Sequence, residues 1–265
     1  MEKILIFIPM YNCEKQIPRV IERIADLKED QHLFAGVIVV DNRSTDGSLQ
    51  AAVEAIGKLS IPAKVLRNCD NYSLGGSHKV AFRYAVEKGY DYVVVLHGDD
   101  QGDIRDLIPH IKAGEHRKYD SFLGSRFSKG SRLIGYDRFR IFGNYVFNFY
   151  MTLCTGKSVQ DLGAGLNIYK TSYLKSEFFL PFPNDLTFNV YLLLYGIYVR
   201  SPFRFFPITW REDDQISNAK LFSQVRRMLG LSMNYVFRKK EVFAPVSNKW
   251  SAIDYQYEIM GENGR

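Results

Sequence analysis

Residues 92–103, YVVVLHGDDQGD, decide the fold: the run from Tyr92 to Leu96 is almost wholly apolar, and Asp99, Asp100 and Asp103 follow it at once. A short continuous apolar run bounded by polar residues predicts a strand buried on both faces. The same unit recurs upstream. Lys3 to Ile8, Gly36 to Val40 and Ala63 to Leu66 also read as buried strands. Between them, Ile17, Val20, Ile21, Ile24 and Leu27 fall at helical spacing, a second helix starts near Ser44 to Gly47, and a third covers Gly75 to Lys88. Strand–helix alternation predicts a parallel sheet with helices on both faces, because parallel neighbours need crossover connections. Ligands of such sheets bind at the carboxyl ends of the strands. Four polar clusters fall there: Pro9 to Asn12, Asp41 to Asp46, Asn68 to Asn71 and His97 to Asp103.

The second half is less regular. Strands are expected over Ser121 to Leu123, Leu166 to Tyr169 and Tyr198 to Ile208. Helices are expected over Arg138 to Leu153, rich in aromatics, and over residues 218–237, basic and amphipathic. The 265 residues, 46% of them hydrophobic, suffice for one domain with a substantial core, and no linker, repeat or low-complexity tract divides them. The N-terminal apolar run is too short for a signal peptide and ends in Pro9. The next longest, Phe188 to Val199, falls short of the roughly 20 residues a membrane span requires, so no transmembrane anchor is expected. Cys13, Cys69 and Cys154 are scattered and odd in number, which argues against a disulfide framework or a zinc site and fits a reducing cytoplasm. A net charge of +6 suits an anionic substrate or an acidic membrane surface, and no nucleic-acid motif accompanies it.

Three acids after one strand repel unless they share a proton or a cation. One or two carboxylates together with substrate phosphates are the usual way of holding Mg²⁺ or Mn²⁺. A polar turn with Asp103 capping the next helix is the plainer reading of the same residues.

Taken together, the motifs resemble the large inverting family 2 of nucleotide-sugar glycosyltransferases with the GT-A fold, nearest to dolichyl- or polyprenyl-phosphate sugar synthases and bacterial cell-wall enzymes. IPMYNCEKQI (8–17) resembles that family's opening strand and turn, VVDNRSTDGS (39–48) its "VVDDGSTDGT", and 71–103 its Gly-rich helix and "DAD.Q" metal motif. GSRF (124–127), QDLGAGLNIYK (160–170) and FPITWREDDQISNAK (206–220) follow in the family's order. Two departures stand out: His97 replaces the first acid of the metal motif, and Asn42 the second acid of the "DDGSTDG" turn.

The resemblance implies one GT-A domain over 1–220, with a nucleotide-binding half (1–103) and an acceptor half (104–220), followed by a helical extension and tail (221–265). It places Pro9, Tyr11, Asn12, Glu14 and Asp41 at the nucleotide. Gly75, Gly76 and Lys79 at a helix N-terminus, together with Gly98, Asp99, Asp100 and Gln101, would surround the donor. Arg126, Arg211 and Lys220 would clamp its diphosphate. Asp99, with His97, would hold Mn²⁺ or Mg²⁺. Asp161, then Asp185, are the candidate general bases for an acceptor hydroxyl, although an ionised lipid phosphate would need no base. Plainer roles stand beside these: Asn12 as a helix cap, Tyr11 as packing, Lys79 as a solvated lysine, and Arg211 as a partner for loop acids.

The acceptor could be a polyprenyl phosphate, a lipid-linked saccharide or a glycan. The aromatic stripe Phe139, Phe142, Tyr145, Val146, Phe149, Tyr150 and Leu153 reads either as core or as a surface dipping into a bilayer interface. The basic C-terminal helix reads either as a solvated face or as a membrane-surface helix on the inner face of the cell membrane. A homodimer is left open. A nucleotide-sugar-forming enzyme is disfavoured because PMYNCE stands where a "GxGTRL" loop would be. A non-catalytic nucleotide-sugar-binding subunit is the rival that His97 favours.

Overall fold

The computed structural model describes residues 2–212, 221–244 and 248–264, with only the backbone for 221–225. Eight strands form one sheet: β1 (Ile4–Met10), β2 (Gly36–Asp41), β3 (Ala63–Asn68), β4 (Tyr92–Leu96), β5 (Ser121–Ser125), β7 (Leu166–Lys170), β8 (Phe203–Pro207) and β10 (Tyr257–Glu262), in the order β10-β3-β2-β1-β4-β7-β5-β8. Two short strands, β6 (Arg132–Ile134) and β9 (Thr209–Arg211), pair parallel beside it. The helices are α1 (Ile17–Ala25), α2 (Ser48–Ala55), α3 (Ser73–Glu87), α4 (Ile108–Lys112), α5 (Arg138–Thr155), α6 (Thr171–Leu174), α7 (Phe188–Tyr198) and α8 (Leu221–Val242).

The expected parallel core is present: β3, β2, β1 and β4 run parallel. The uniform apolarity of most of β1, β2 and β4 follows from burial on both faces, while β3 keeps Lys64 half-buried on one of them. Along β1, Ile4, Ile6 and Ile8 join the cluster that includes α1 and α2 residues, whereas Leu5 and Phe7 join the cluster with α3 and α7. This alternation leaves no position in β1 for a polar residue until the carboxyl end, where the sheet stops being covered.

Two strands depart from the expected pattern, and both matter to the site. β7 is antiparallel to β4 and β5, so its first residue, Leu166, lies beside the last of β4, Leu96. The loop preceding β7 therefore opens onto the same rim as the loop following β4. The C-terminal segment returns as β10, antiparallel on β3, so the stretch expected as a tail supplies the edge of the main sheet. The strand expected over residues 198–208 is instead the last residue of α7, a turn, and the shorter β8. Arg200, at φ 58, ends the helix in the left-handed region, and Pro202 precedes the strand. Among the described residues no helix is long and apolar enough to cross a membrane.

Candidate active site

The carboxyl ends of β1, β2, β3 and β4, together with the turns around β5 and β7, form one polar rim. The loops after β1 and β2 are stitched together. Asn12, at φ 52, accepts from the Thr45 N–H through Oδ1 (2.9 Å), its own N–H donates to the Ser44 hydroxyl (3.0 Å), and the Glu14 carboxylate accepts from the Gly47 N–H (3.3 Å). Asn12 and Glu14 are thus braces of the rim, while Tyr11 is half exposed upon it. Pro9 accepts the Gly98 N–H through its carbonyl (3.1 Å), which fixes the exit of β4 against β1.

Asp41 is fully buried at the end of β2. Its Oδ1 accepts the Ser44 N–H (3.0 Å), and its Oδ2 has no hydrogen bond and faces the Arg67 Nε at 3.4 Å. Arg67 was not anticipated from the sequence. Its signal was its strand position, since Asp41 and Arg67 are register partners. Asn42 joins a network with Asn68, Asn71 and the Tyr72 N–H, bonds that a carboxylate could not all make because it cannot donate.

The acids after β4 do not act together. Asp100, at φ 64, turns back to Arg19 (2.7 Å) and Arg23 (2.8 Å) on α1. Asp103 caps the following 3₁₀ turn and pairs with Arg105, with the Arg211 Nη2 at 3.9 Å. A cluster of carboxylates sharing one cation is therefore replaced by two acids already neutralised by arginines, and Asp100 braces the loop rather than facing a donor. Asp99 remains. Its Oδ1 accepts the Gln101 N–H (3.2 Å), its Oδ2 lies 3.9 Å from the His97 Nδ1, and burial pushes its carboxyl up to about 6. His97 is held near 4 by burial and by the Arg126 charge, so its ring is neutral at pH 7. That ring occupies space that only glycine at 165 leaves, because a Cβ there would lie 2.6 Å from the ring.

No group of three or more metal-ligating side chains occurs among the described residues. One carboxylate and one neutral ring nitrogen, 3.9 Å apart, nevertheless fit two positions around a small divalent ion whose remaining ligands are phosphate and water.

Arg126 is buried and locked to Asp161. Its backbone N–H and Nε donate to Oδ2 and its Nη2 to Oδ1, each at 2.8 Å, while Phe127, Tyr136 and Trp210 stack around the guanidinium. Asp161 also accepts the Gly163 N–H. It is therefore the anchor of Arg126 and not a free base. Asp185 accepts the Thr187 N–H and hydroxyl in the turn before α7, and its second oxygen accepts from Arg227 (2.8 Å). Arg211 follows Trp210 in β9, and its N–H donates to the Gln101 carbonyl (3.0 Å). Lys220 lies outside the described residues.

Lys79 and its glycines require correction. The expected cation at a helix N-terminus is instead fully buried, its Nζ sharing three protons among the carbonyls of Leu180 (2.9 Å) and Phe182 (2.6 Å), the Asn184 Oδ1 (2.7 Å) and the Tyr255 hydroxyl (3.0 Å). Gly75 and Gly76 admit the chain, not a ligand. The Gly75 N–H donates to the Asn184 carbonyl (2.7 Å), and a Cβ at 75 would strike Phe188 at 2.8 Å. The expectation rested on the helix dipole and the sequence position, whereas the side chain is drawn inward by four oxygens. Lys79→Met would strand the Leu180 and Phe182 carbonyls, and we expect a loss of about 2–4 kcal/mol in urea unfolding, with Lys79→Arg failing to restore it.

These elements define a class: a GT-A fold whose polar rim sits at the carboxyl edge of a mostly parallel sheet. The chain belongs to glycosyl transferase family 2, whose model matches residues 5–178. It is 27% identical over 175 residues to the undecaprenyl-phosphate mannosyltransferase of Micrococcus luteus (66% of this chain, 69% of that one). It is 23% identical over 177 residues to the polyprenol monophosphomannose synthase of Mycolicibacterium smegmatis (66% and 64%). The match thus spans about two thirds of these relatives' own length. Among solved structures it resembles Mycobacterium tuberculosis glucosyl-3-phosphoglycerate synthase in complex with Mn²⁺, UDP and glucosyl-3-phosphoglycerate, with TM-score 0.59, 15% identity, and coverage of 98% of this chain and 88% of that one.

Proposed function

We propose that this chain transfers a sugar, with inversion, from a nucleoside-diphosphate donor to a polyprenyl phosphate on the cytoplasmic face of a membrane, in cell-envelope polysaccharide synthesis. UDP-sugars are the favoured donors over GDP-sugars, and a lipid-linked saccharide or a glycan is the alternative acceptor. One observation carries the reading: Asp99 is the one acid of the 99–103 run not bonded to an arginine among the described residues, and it stands at the carboxyl end of a central strand. Arg67, the partly exposed member of the Asp41–Arg67 pair, would meet the nucleoside at that rim with the buried Asp41 carboxylate behind it. Arg126 lends positive potential, and Gln101 and Arg211 hold the loop that frames the diphosphate.

Asp99, with the neutral His97, would hold Mn²⁺ in preference to Mg²⁺, since a ring nitrogen suits the softer ion. The ion would supply charge neutralisation at the leaving diphosphate. Asp161 and Asp185 are both engaged, which favours an acceptor that arrives as an anion and needs no proton removed. Relatives named for transfer to polyprenyl phosphates support the same acceptor class.

The second reading is a nucleotide-sugar-binding subunit without turnover, favoured by His97 in the metal motif and by the arginines that neutralise Asp100 and Asp103. A thermal-shift panel of nucleotide sugars separates binding from its absence. A donor at a hundred times its Kd adds about 2.7 kcal/mol, hence about 5–10 °C in Tm. We expect that rise from a UDP-sugar with Mn²⁺ and a much smaller one without it. No rise with any nucleotide sugar would refute both readings, and a rise without transfer to polyprenyl phosphate, lipid-linked saccharide or glycan would select the second.

A further inference from the structure

Apart from Tyr150, which packs against the core, the aromatic stripe of α5 faces outward. Phe139 is 81% exposed, Phe149 64% and Leu153 67%, and Phe142, Tyr145 and Val146 are exposed between them. Leu229, Met233, Val236 and Phe237 of α8 are exposed as well. The two helices are joined by a hydrogen bond between the Tyr150 and Ser232 hydroxyls (2.9 Å). Their inner residues, Phe147, Met151, Leu231 and Tyr235, share one core cluster, which leaves both stripes on the outward side of the same helix pair. So much contiguous apolar surface marks a place where something else is covered.

The charges around the patch identify what. Arg138, Lys157, Arg226, Lys239 and Lys240 border it, and none has an ion-pair partner among the described residues; Glu241, an acid near its end, is taken by Arg238. A second copy packed two-fold on this face would gather two sets of these unpaired cations around one interface. An anionic lipid surface attracts them while its acyl region accepts the phenylalanines, the division of labour of an interfacial helix.

We infer that the outward face of α5 and α8 docks on an anionic phospholipid bilayer, with Phe139, Phe142, Phe149 and Phe237 inserted below the headgroups. Docking there would set the site beside the membrane, because Arg140 of α5 and Arg126 of the rim both bond the Tyr136 hydroxyl. Any benefit to transfer rests on the lipid acceptor proposed above, whereas the docking itself does not.

The test is flotation of the full chain with vesicles of phosphatidylcholine alone or mixed with phosphatidylglycerol, at low and high salt. We expect binding to the mixed vesicles, weakened by salt and by phosphatidylcholine alone. The variant Phe139→Ser/Phe142→Ser/Phe149→Ser should bind at least about tenfold less, and Arg138→Gln/Lys239→Gln/Lys240→Gln should lose most of the preference for anionic lipid. Each position is exposed, so Tm and the donor-induced thermal shift should be unchanged. Absence of vesicle binding, equal binding by wild type and the phenylalanine variant, or a solution dimer that this variant dissociates would each overturn the inference. A failed donor shift with retained flotation would count against the proposed reaction alone.

Discussion

Asp99→Asn should lower sugar transfer by about a thousandfold, about 4 kcal/mol of barrier, while leaving a protein that is no less stable than the wild type. The activity loss follows from the bonding around the β4 exit. Arginines from α1 hold Asp100, and Arg105 holds Asp103, so no neighbouring acid among the described residues is free to replace Asp99. Asparagine keeps an oxygen for the Gln101 N–H and removes only the charge. The stability half follows from linkage. Burial raises this carboxyl from 3.8 to about 6, so the folded chain binds the proton more tightly than the unfolded one. The group's favourable contribution is present below about pH 4 and is lost as pH rises through 6. At pH 7 the asparagine should therefore unfold at an equal or higher Tm, with the gain shrinking on acidification to pH 4. Near-normal turnover in Asp99→Asn, or a collapse of its Tm, would contradict this assignment.

Asp161→Ala should be the most destabilising single change at the rim, by about 3–5 kcal/mol and about 10 °C in Tm. Arg126 sends three hydrogen bonds to that carboxylate from a nearly buried position, and its guanidinium is enclosed by three aromatic rings. Removing the acid leaves a buried cation without its counter-ion, beside a His97 ring that burial, with this cation's help, holds neutral. Arg126→Met/Asp161→Met should recover much of the loss, since replacing both partners removes the stranded charge. A general base would behave oppositely. In that case Asp161→Asn would abolish turnover with little change in Tm, and the pH–rate profile would lose its acidic limb. Calorimetry and kinetics on the same variants decide between these roles.

The parallel half of the fold was legible because strands buried on both faces cannot hide. β1, β2, β3 and β4 begin within a residue or two of where their apolar runs begin. The polar clusters at their carboxyl ends were legible for the same reason. Edges were not. β10 carries two glutamates and exposed Ile259 and Met260, and its partner β3 is nearly two hundred residues earlier, so nothing local announces the pairing. Within the site, residue type was readable and orientation was not. Asp100 and Asp99 are neighbours in sequence, yet a left-handed backbone at 100 sends one carboxylate to α1 and leaves the other on the rim. Lys79 shows the same limit, because the oxygens that draw it inward come from residues 180–184 and Tyr255. The α5 stripe had the spacing of a core face, and periodicity alone cannot say whether protein or something else covers it.

The claim on which the rest depends is that Asp99 and a divalent ion grip the diphosphate of a nucleotide sugar at the carboxyl edge of the sheet. Crystals grown with UDP and Mn²⁺, with data collected at the manganese absorption edge, test it directly. A single anomalous peak is expected at Asp99, contacted by both phosphates, with the base reaching the Asp41–Arg67 pair. A nucleotide bound with no peak at Asp99, or bound away from that rim, would contradict it.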